Sequence, residues 1–207
     1  MRSVVLILAR SCRLDTLVDA SQVVRLVTSF SSDDDRFMDK SAELALQLLA
    51  HTGEPFSRWQ FLPGHITCTG LVLHPSRDAF LLVHHRRLNR WLLPGGHVEA
   101  EDADIWDTAR REVFEETGCS IRSSPQPPLV GIDVHGIPPK RGEPFHLHHD
   151  LVFGLRAASP EVAATEEARQ VVWCDAGDWH NYDLPWSIRL CFHRGFHRGV
   201  SLGSLIR

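Results

Sequence analysis

Lysine is scarce in this sequence, and no basic excess makes up for it. Lys40 and Lys140 are the only lysines among 22 basic residues, and 26 acidic residues give a formal net charge of −4. Nucleic-acid-binding surfaces usually need a clustered excess of basic residues. The sequence therefore argues against a nucleic-acid partner.

Long apolar runs and paired cysteines are missing as well. The apolar run at residues 4–9 stops at Arg10, which makes it too short to span a bilayer, and no other segment approaches transmembrane length. The 5 cysteines are odd in number and show no C-x-x-C spacing, so they favour neither a disulfide framework nor a zinc ribbon. These absences predict a chain of the reducing cytoplasm with no membrane partner.

The remaining composition suits one domain of ordinary size with appendages. The chain has 207 residues, of which 43% are hydrophobic. A polar, acidic stretch at residues 31–35 is typical of a linker, so residues 1–38 are predicted to be an N-terminal extension or linker that can be disordered. Helical periodicity predicts a helix over residues 39–51 that packs onto a single domain covering residues 39–190. Residues 191–207 are interpreted as a loosely ordered C-terminal tail.

Two strands are predicted ahead of the central part of the chain. His65–His74 and Ala79–His85 are rich in β-branched and aliphatic residues and are joined by a turn, which is typical of a hairpin. A basic segment follows the second strand. It either binds the anionic phosphates of a substrate or forms a solvated loop, and its arginines are Arg86, Arg87 and Arg90.

Two further strands are predicted over residues 129–137 and 146–157. The second carries His146, His148 and Asp150, which strand alternation places on one face. Such a row can bind a transition metal. We favour a polar sheet face instead, in which His148 lines the substrate cleft or transfers a proton.

Three carboxylates share one face of a predicted helix. Glu112, Glu115 and Glu116 stand at positions i, i+3 and i+4, and no lysine is interleaved between them. Because like charges so close together repel, the pattern favours a bound cation over a solvated acidic face. Carboxylate oxygens suit the hard ions Mg²⁺ and Mn²⁺.

The rest of that helix follows ordinary packing rules. Ala109, Val113 and Phe114 are predicted to form an apolar flank that is buried against the domain. Gly118 stands where a helix C-cap is expected. Just before the helix, Gly95 and Gly96 form a turn in which the backbone can approach a ligand or a metal closely.

Turn and helix together resemble the Nudix box, G-x5-E-x7-R-E-U-x-E-E-x-G-U, in which U is apolar. Residues 111–119 fit its second half without a mismatch. In the first half, the loop that follows Gly96 holds an additional residue, and Asp102 stands where the family has Glu. Ala100 and Glu101 stand where the family often has Pro and Gly.

The resemblance implies a fold and a set of roles. The fold is an α/β/α sandwich with a mixed β-sheet, here preceded by an N-terminal helical extension. Mg²⁺ or Mn²⁺ would be the cofactor. Arg111 would orient Glu112 or brace the loop, and Glu166 or Glu167 would act as the general base by position before a strand. Gly95 and Gly96 would contact the substrate, and the metal ligands would be Glu112, Glu115, Glu116 and the Gly95 carbonyl.

The activity implied is hydrolysis of a diphosphate linkage in a nucleoside diphosphate derivative, such as a nucleotide sugar, an ADP-ribose-like compound or a nucleoside triphosphate. The partner is then a small-molecule diphosphate, and homodimer formation is left open. One alternative is an isomerase of an isoprenoid diphosphate, which would need a cysteine for proton transfer, with Cys68 as the candidate. Another is a non-catalytic module that senses a nucleotide sugar, although such modules often lack box glutamates that are all present here.

Overall fold

The computed structural model describes residues 16–32, 35–140, 142–175 and 177–197. The apolar run at residues 4–9 and residues 198–207 of the predicted tail lie outside this part of the chain. In the described ranges, none of the helices combines the length and the apolar character that crossing a membrane requires. The elements in chain order are α1 (Ala20–Thr28), α2 (Arg36–His51), β1 (Gly64–Leu73), β2 (Ala79–His85), β3 (Arg90–Leu92), β4 (Gly95–His97), α3 (Ile105–Thr117), β5 (Leu129–Ile137), β6 (His146–Arg156), β7 (Ala168–Asp175), a 3-10 turn (Trp179–Tyr182) and α4 (Trp186–His197).

The strands of the described chain form one mixed sheet. Its order is β3-β2-β1-β6-β5, with β4 paired to β1 and β7 paired to β2. The central pair, β1 and β6, is parallel along the full length of β1. The other pairs are antiparallel, including the predicted hairpin of β1 and β2. The predicted mixed sheet is confirmed.

Side chains that alternate along β1 and β6 fill two cores, one on each face of the sheet. On one face, Ile66 and Leu151 pack in a cluster that includes buried residues of α1, α2 and α3. On the other face, Leu71 and Val152 pack with Leu184 and with Cys191 of α4. Helices therefore cover both faces, which confirms the α/β/α arrangement.

Helix α3 lies close to β1 because a glycine faces it. A Cβ atom added to Gly70 would lie 2.5 Å from a methyl carbon of Val113, so the strand backbone itself forms the helix contact. The helix ends at Gly118, whose φ of 64° is the left-handed conformation of a C-cap, as predicted. Val113 and Ala109 are buried. Phe114 is 59% exposed, so its predicted place on the buried flank is wrong, because one residue further along the helix turns a side chain by about 100°.

Both ends of the described chain are more ordered than the sequence predicted. The extension contains α1, whose Val23 and Val27 are buried in the core, so at least this part of residues 1–38 packs on the domain. Helix α2 begins at Arg36 because the Asp35 carboxylate accepts hydrogen bonds from the first backbone N–H groups. Residues 191–197, expected in a loose tail, continue α4. The division of the chain at residues 38 and 190 stays a prediction.

Candidate active site

The acidic ridge of α3, made of Glu112, Glu115 and Glu116, lies against Gly95 and Gly96, which form strand β4 with His97 and not the turn that the sequence predicted, because they pair with β1. Glu116 is buried, Glu112 is mostly buried, and Glu115 is exposed. The carboxylate of Glu116 accepts a hydrogen bond from the backbone N–H of Gly95. The exposure of the three carboxylates therefore increases from Glu116, at the sheet, through Glu112 to Glu115, in the solvent.

Gly96 permits the contact between strand and ridge. A Cβ atom at this position would lie 2.5 Å from Oε1 of Glu112, closer than real side chains come. A glycine is required here for space alone, because its backbone is not in the left-handed region. Both glycines of β4 thus contact the ridge that the sequence assigned to metal binding.

The Arg111 guanidinium connects the ridge to the loop before it. Its Nε and Nη2 atoms donate to the two carboxylate oxygens of Asp102, both at 3.0 Å. Nη2 also donates to the carbonyl of His97 at 2.7 Å. Nη1 donates to Glu112 at 3.0 Å and to Glu115 at 3.1 Å. Arg111 thus makes contacts of both kinds that the sequence suggested, orienting Glu112 and bracing the loop.

The buried carboxylate of Asp102 holds the loop between β4 and α3 in place by hydrogen bonds. Besides binding Arg111, its carboxylate accepts hydrogen bonds from the Glu99 backbone N–H at 2.9 Å and from the Thr108 hydroxyl at 2.8 Å. Burial raises the pKa of Asp102, but the hydrogen bond from Arg111 and the other donors outweigh this, and the pKa lies below its usual value. The additional loop residue is therefore accommodated while an ionised Asp takes the place of the family's Glu.

A divalent cation fits this arrangement. Burial, followed by the carboxylates of Glu112 and Glu167, raises the pKa of Glu116 to about 8. Such a shift marks carboxylates that repel one another in a poorly solvated place, and a bound cation relieves that repulsion. The donors are all hard oxygen atoms, the kind that Mg²⁺ and Mn²⁺ prefer.

Of the two candidate bases, Glu167 is the one whose charge acts most strongly on the ridge. Glu167 raises the pKa of both Glu112 and Glu116, after larger contributions from burial. Its position is fixed through the backbone, because the N–H of Arg86 donates to its carbonyl at 3.0 Å. Both glutamates are exposed, but Glu167 and not Glu166 is among the groups that contribute most to the pKa shifts of Glu112 and Glu116.

The three arginines predicted to meet phosphate differ in their surroundings. The Arg86 guanidinium donates to the carbonyl of Glu166 at 2.9 Å and to that of Ala168 at 3.5 Å, so it supports the backbone that carries the candidate bases. Arg87 and Arg90 are exposed next to it. Phosphate binding by these residues stays a prediction.

His148 belongs to a cluster of histidines that the sequence showed only in part. Its ring centroid lies 4.8 Å from that of His65 and 5.2 Å from that of His97. Burial lowers the pKa of all three, to about 4 for His65 and about 3 for His97, so the rings are neutral at pH 7. Of the predicted row on β6, His146 also joins the cluster, with its centroid 5.3 Å from that of His148.

Residues His65 and His97 escaped the sequence analysis because they come from different strands. His65 pairs with His148 across the parallel β1–β6 ladder, and His97 pairs with Thr67 across β1–β4. The available signal was a histidine directly after a glycine in both strands, at Gly64-His65 and Gly96-His97. Without the strand order, the sequence does not show that these two histidines lie beside His148.

The sequence of the chain agrees with this site. A model of the NUDIX domain matches residues 63–190, which is more than half of the chain. The chain belongs to the Nudix family. In this Nudix chain, the box consists of the glycines of β4, the loop after them and helix α3.

Two curated relatives and one solved structure are similar to parts of the chain. "Nucleoside diphosphate-linked moiety X motif 6" of Homo sapiens is 46% identical over 63 residues, which are 28% of this chain and 20% of that protein. A "probable DHNTP pyrophosphohydrolase" of Lactococcus lactis is 31% identical over 93 residues, 44% of this chain and 54% of that protein. This Nudix chain thus spans a fifth to about half of the length of these relatives. A C. elegans Ap4A hydrolase structure superimposes with a TM-score of 0.49 and 16% identity, covering 64% of this chain and 96% of that one.

Proposed function

We propose that this Nudix protein hydrolyses a diphosphate linkage in a nucleoside diphosphate derivative and depends on Mg²⁺ or Mn²⁺. The observation that carries the proposal is the acidic ridge held against the glycines of β4, with Glu167 close enough to raise the pKa of two of its members. The L. lactis relative is named as a pyrophosphohydrolase, and that activity agrees with the proposed reaction.

The cation would be held by the three glutamates of the ridge and the Gly95 carbonyl, where it would neutralise non-bridging phosphate oxygens and acidify a nearby water. Arg111 holds Glu112 and Glu115 in place through its hydrogen bonds. Glu167 would accept a proton from the attacking water as its oxygen forms a bond to phosphorus. The bond from that phosphorus to the bridging oxygen breaks, and the second phosphate leaves with this oxygen.

The alternative activities find less support. An isomerase would need its cysteine at the substrate, whereas Cys68 is fully buried and faces the core that contains α3. Burial, and then the nearby charge of Asp150, raises the pKa of its thiol well above the usual value. A sensor without catalysis has no need of a complete ridge. We retain cytoplasmic location as a further prediction of the same proposal, and the oligomeric state stays open.

The experiment is a substrate panel with and without metal. Release of phosphate or nucleoside monophosphate is measured for ADP-ribose, nucleotide sugars, dinucleoside polyphosphates, NADH, nucleoside triphosphates and isopentenyl diphosphate, in Mg²⁺, Mn²⁺ or EDTA. We expect cleavage of at least one nucleotide in the presence of metal and none in EDTA. No product release from any nucleotide, or turnover that continues in EDTA, would overturn the proposal.

Replacement of one ridge carboxylate tests the residues. Glu116→Gln should reduce kcat at least about 100-fold, since even residues that only support metal ligands contribute about 10- to 100-fold. The matched control is Glu161→Gln, the same substitution at an exposed glutamate outside the site. Circular dichroism checks that both variants are folded. Equal kcat values in the two variants would remove Glu116 from the site.

A further inference from the structure

We propose that His65, His97 and His148 form a second cation site, separate from the acidic ridge, that takes Zn²⁺ or a divalent ion of similar ligand preference. One nitrogen atom from each of the three side chains lies within 4.8 Å of those of the other two. This spacing allows three imidazole nitrogens to bind one ion from different directions. The site does not depend on the proposed hydrolase activity.

Strand pairing, rather than a flexible loop, positions the three rings. His65 and His148 are register partners in the parallel β1–β6 ladder. His97 lies opposite Thr67, two residues further along β1, and therefore on the same face of the sheet. The spacing between the rings is thus set by the backbone hydrogen bonds of the sheet core, which is the rigid support that a metal site needs.

The hydrogen bonding of His65 leaves one of its ring nitrogens available to a ligand. Its Nδ1 atom lies 3.0 Å from the carbonyl of Gln60, which can only accept, so Nδ1 carries the proton. Nε2 therefore holds a lone pair, and it is buried with no hydrogen-bond partner in the described structure. Metal-binding histidines typically have this arrangement, with one ring nitrogen donating to a carbonyl and the other free to bind.

An unpaired nitrogen alone would not identify a site. His149, which follows His148 on β6, also has buried nitrogens, and within the described part of the chain they have no hydrogen-bond partner and belong to no such trio. Its side chain lies on the opposite face of the sheet. What distinguishes His65 is that one of its ring nitrogens lies within 4.8 Å of nitrogens of two other histidines. His149 therefore provides the matched control for a test.

The donor set selects the kind of ion. Three neutral imidazoles suit Zn²⁺ and related transition metals, whereas the ridge offers the hard oxygens that suit Mg²⁺. Three protein ligands leave a fourth position for water or a ligand oxygen. His97 and His148 are partly exposed, so that position can be reached from solvent.

Strand β4 separates the two sites. A side chain at Gly96 would point at Glu112 of the ridge, and the next residue, His97, points to the other face. The two cation sites therefore lie on opposite faces of the same short strand. Because their donors differ, each can be removed by substitution without removing a ligand of the other.

Cobalt titration of the full chain tests the proposal. Co²⁺ with imidazole ligands in tetrahedral geometry absorbs strongly in the visible range, whereas octahedral Co²⁺ on carboxylates absorbs weakly. We expect the strong absorption to saturate at one equivalent of Co²⁺ and to disappear when Zn²⁺ is added. Glu116→Gln and His149→Gln should keep it, and His148→Gln should weaken Co²⁺ binding at least 10-fold.

Because a buried substitution can disturb folding, His97→Gln is measured alongside His148→Gln, and circular dichroism is recorded for each variant. Loss of the absorption in either folded variant, with retention in both controls, supports the site. Absence of the absorption in the unmodified chain would overturn it. So would its loss in Glu116→Gln with retention in His148→Gln, which would assign the ion to the ridge.

Discussion

At the scale of single residues, Arg111 connects the loop before α3 to the acidic ridge. The sequence placed it next to Glu112 but could not show which atoms it would bind. In the structure its fork spans the Asp102 carboxylate, and its remaining donor reaches the ridge. A lysine could not make both contacts, because an ammonium group lacks the planar fork.

Asp102→Asn should lower the free energy of unfolding by about 1–3 kcal/mol at pH 7, since Arg111 loses a buried charged acceptor but keeps other partners. The folded pKa of Asp102 lies below the unfolded value, so its ionised form stabilises the fold. That contribution is complete above the unfolded pKa of about 3.9 and is lost as the pH falls through the folded pKa. Urea unfolding from pH 8 to 3 should show a constant difference above about pH 5 that narrows towards pH 3. A difference that is largest at pH 3 would contradict this account.

The two candidate bases allow a paired test at adjacent residues. Glu167→Gln should reduce kcat by roughly 100-fold, within the usual range for general-base catalysis, because its charge acts on the ridge. Glu166→Gln should leave kcat within about twofold, since the contact of Glu166 with Arg86 is made by its backbone carbonyl, which the substitution keeps. Steady-state kinetics with the substrate identified in the panel provides the measurement. A larger loss in Glu166→Gln would exchange their roles.

At the scale of elements, the sequence predicted what one helix determines by itself. The spacing of Glu112, Glu115 and Glu116 and the cap at Gly118 need only helical geometry, and the structure contains all of them. The histidine cluster could not be predicted in the same way, because it needs the register of β1 against β6. The predicted apolar flank of α3 is wrong at Phe114, because the pattern of apolar residues was extended by one residue too many.

Strand β4 offers a steric test of the ridge. Gly96→Ala should displace the Glu112 carboxylate, since the new methyl group would lie 2.5 Å from its Oε1 atom. We expect Mg²⁺ to activate this variant only at concentrations about 10-fold higher or more, as for other losses of ligand support. Gly53→Ala is the matched control, because a methyl group there would meet nothing within 4 Å. Identical Mg²⁺ dependence of the two variants would show that Gly96 is not needed for space.

At the scale of the whole molecule, the N-terminal extension joins the domain instead of trailing from it. Val23 and Val27 of α1 lie in the same core as α3. Gln22 also donates to the side chain of Asp104, directly before α3, at 3.2 Å. The helix that carries the ridge is thus supported from the far end of the described chain.

Val23→Ala should therefore lower the free energy of unfolding by about 1–3 kcal/mol, the cost of removing buried methyl groups. Val24→Ala, the same change at the next residue, lies on the exposed side of α1 and should change stability by less than about 0.5 kcal/mol. Urea midpoints with unchanged m-values measure both. Equal effects would mean that α1 is not part of the folded domain in solution.

The parallel pairing of β1 with β6 has a consequence for how the molecule is made. Contacts between these strands, such as that of Thr67 with Asp150, join residues 83 positions apart. Closing so long a loop costs entropy before any contact repays it, and such pairings slow folding. During synthesis β1 cannot pair with β6 until most of the domain has been translated. The β1–β6 ladder, and the histidine cluster that it aligns, cannot form before then. Formation of the histidine cluster therefore indicates when the β1–β6 pairing at the centre of the sheet is complete.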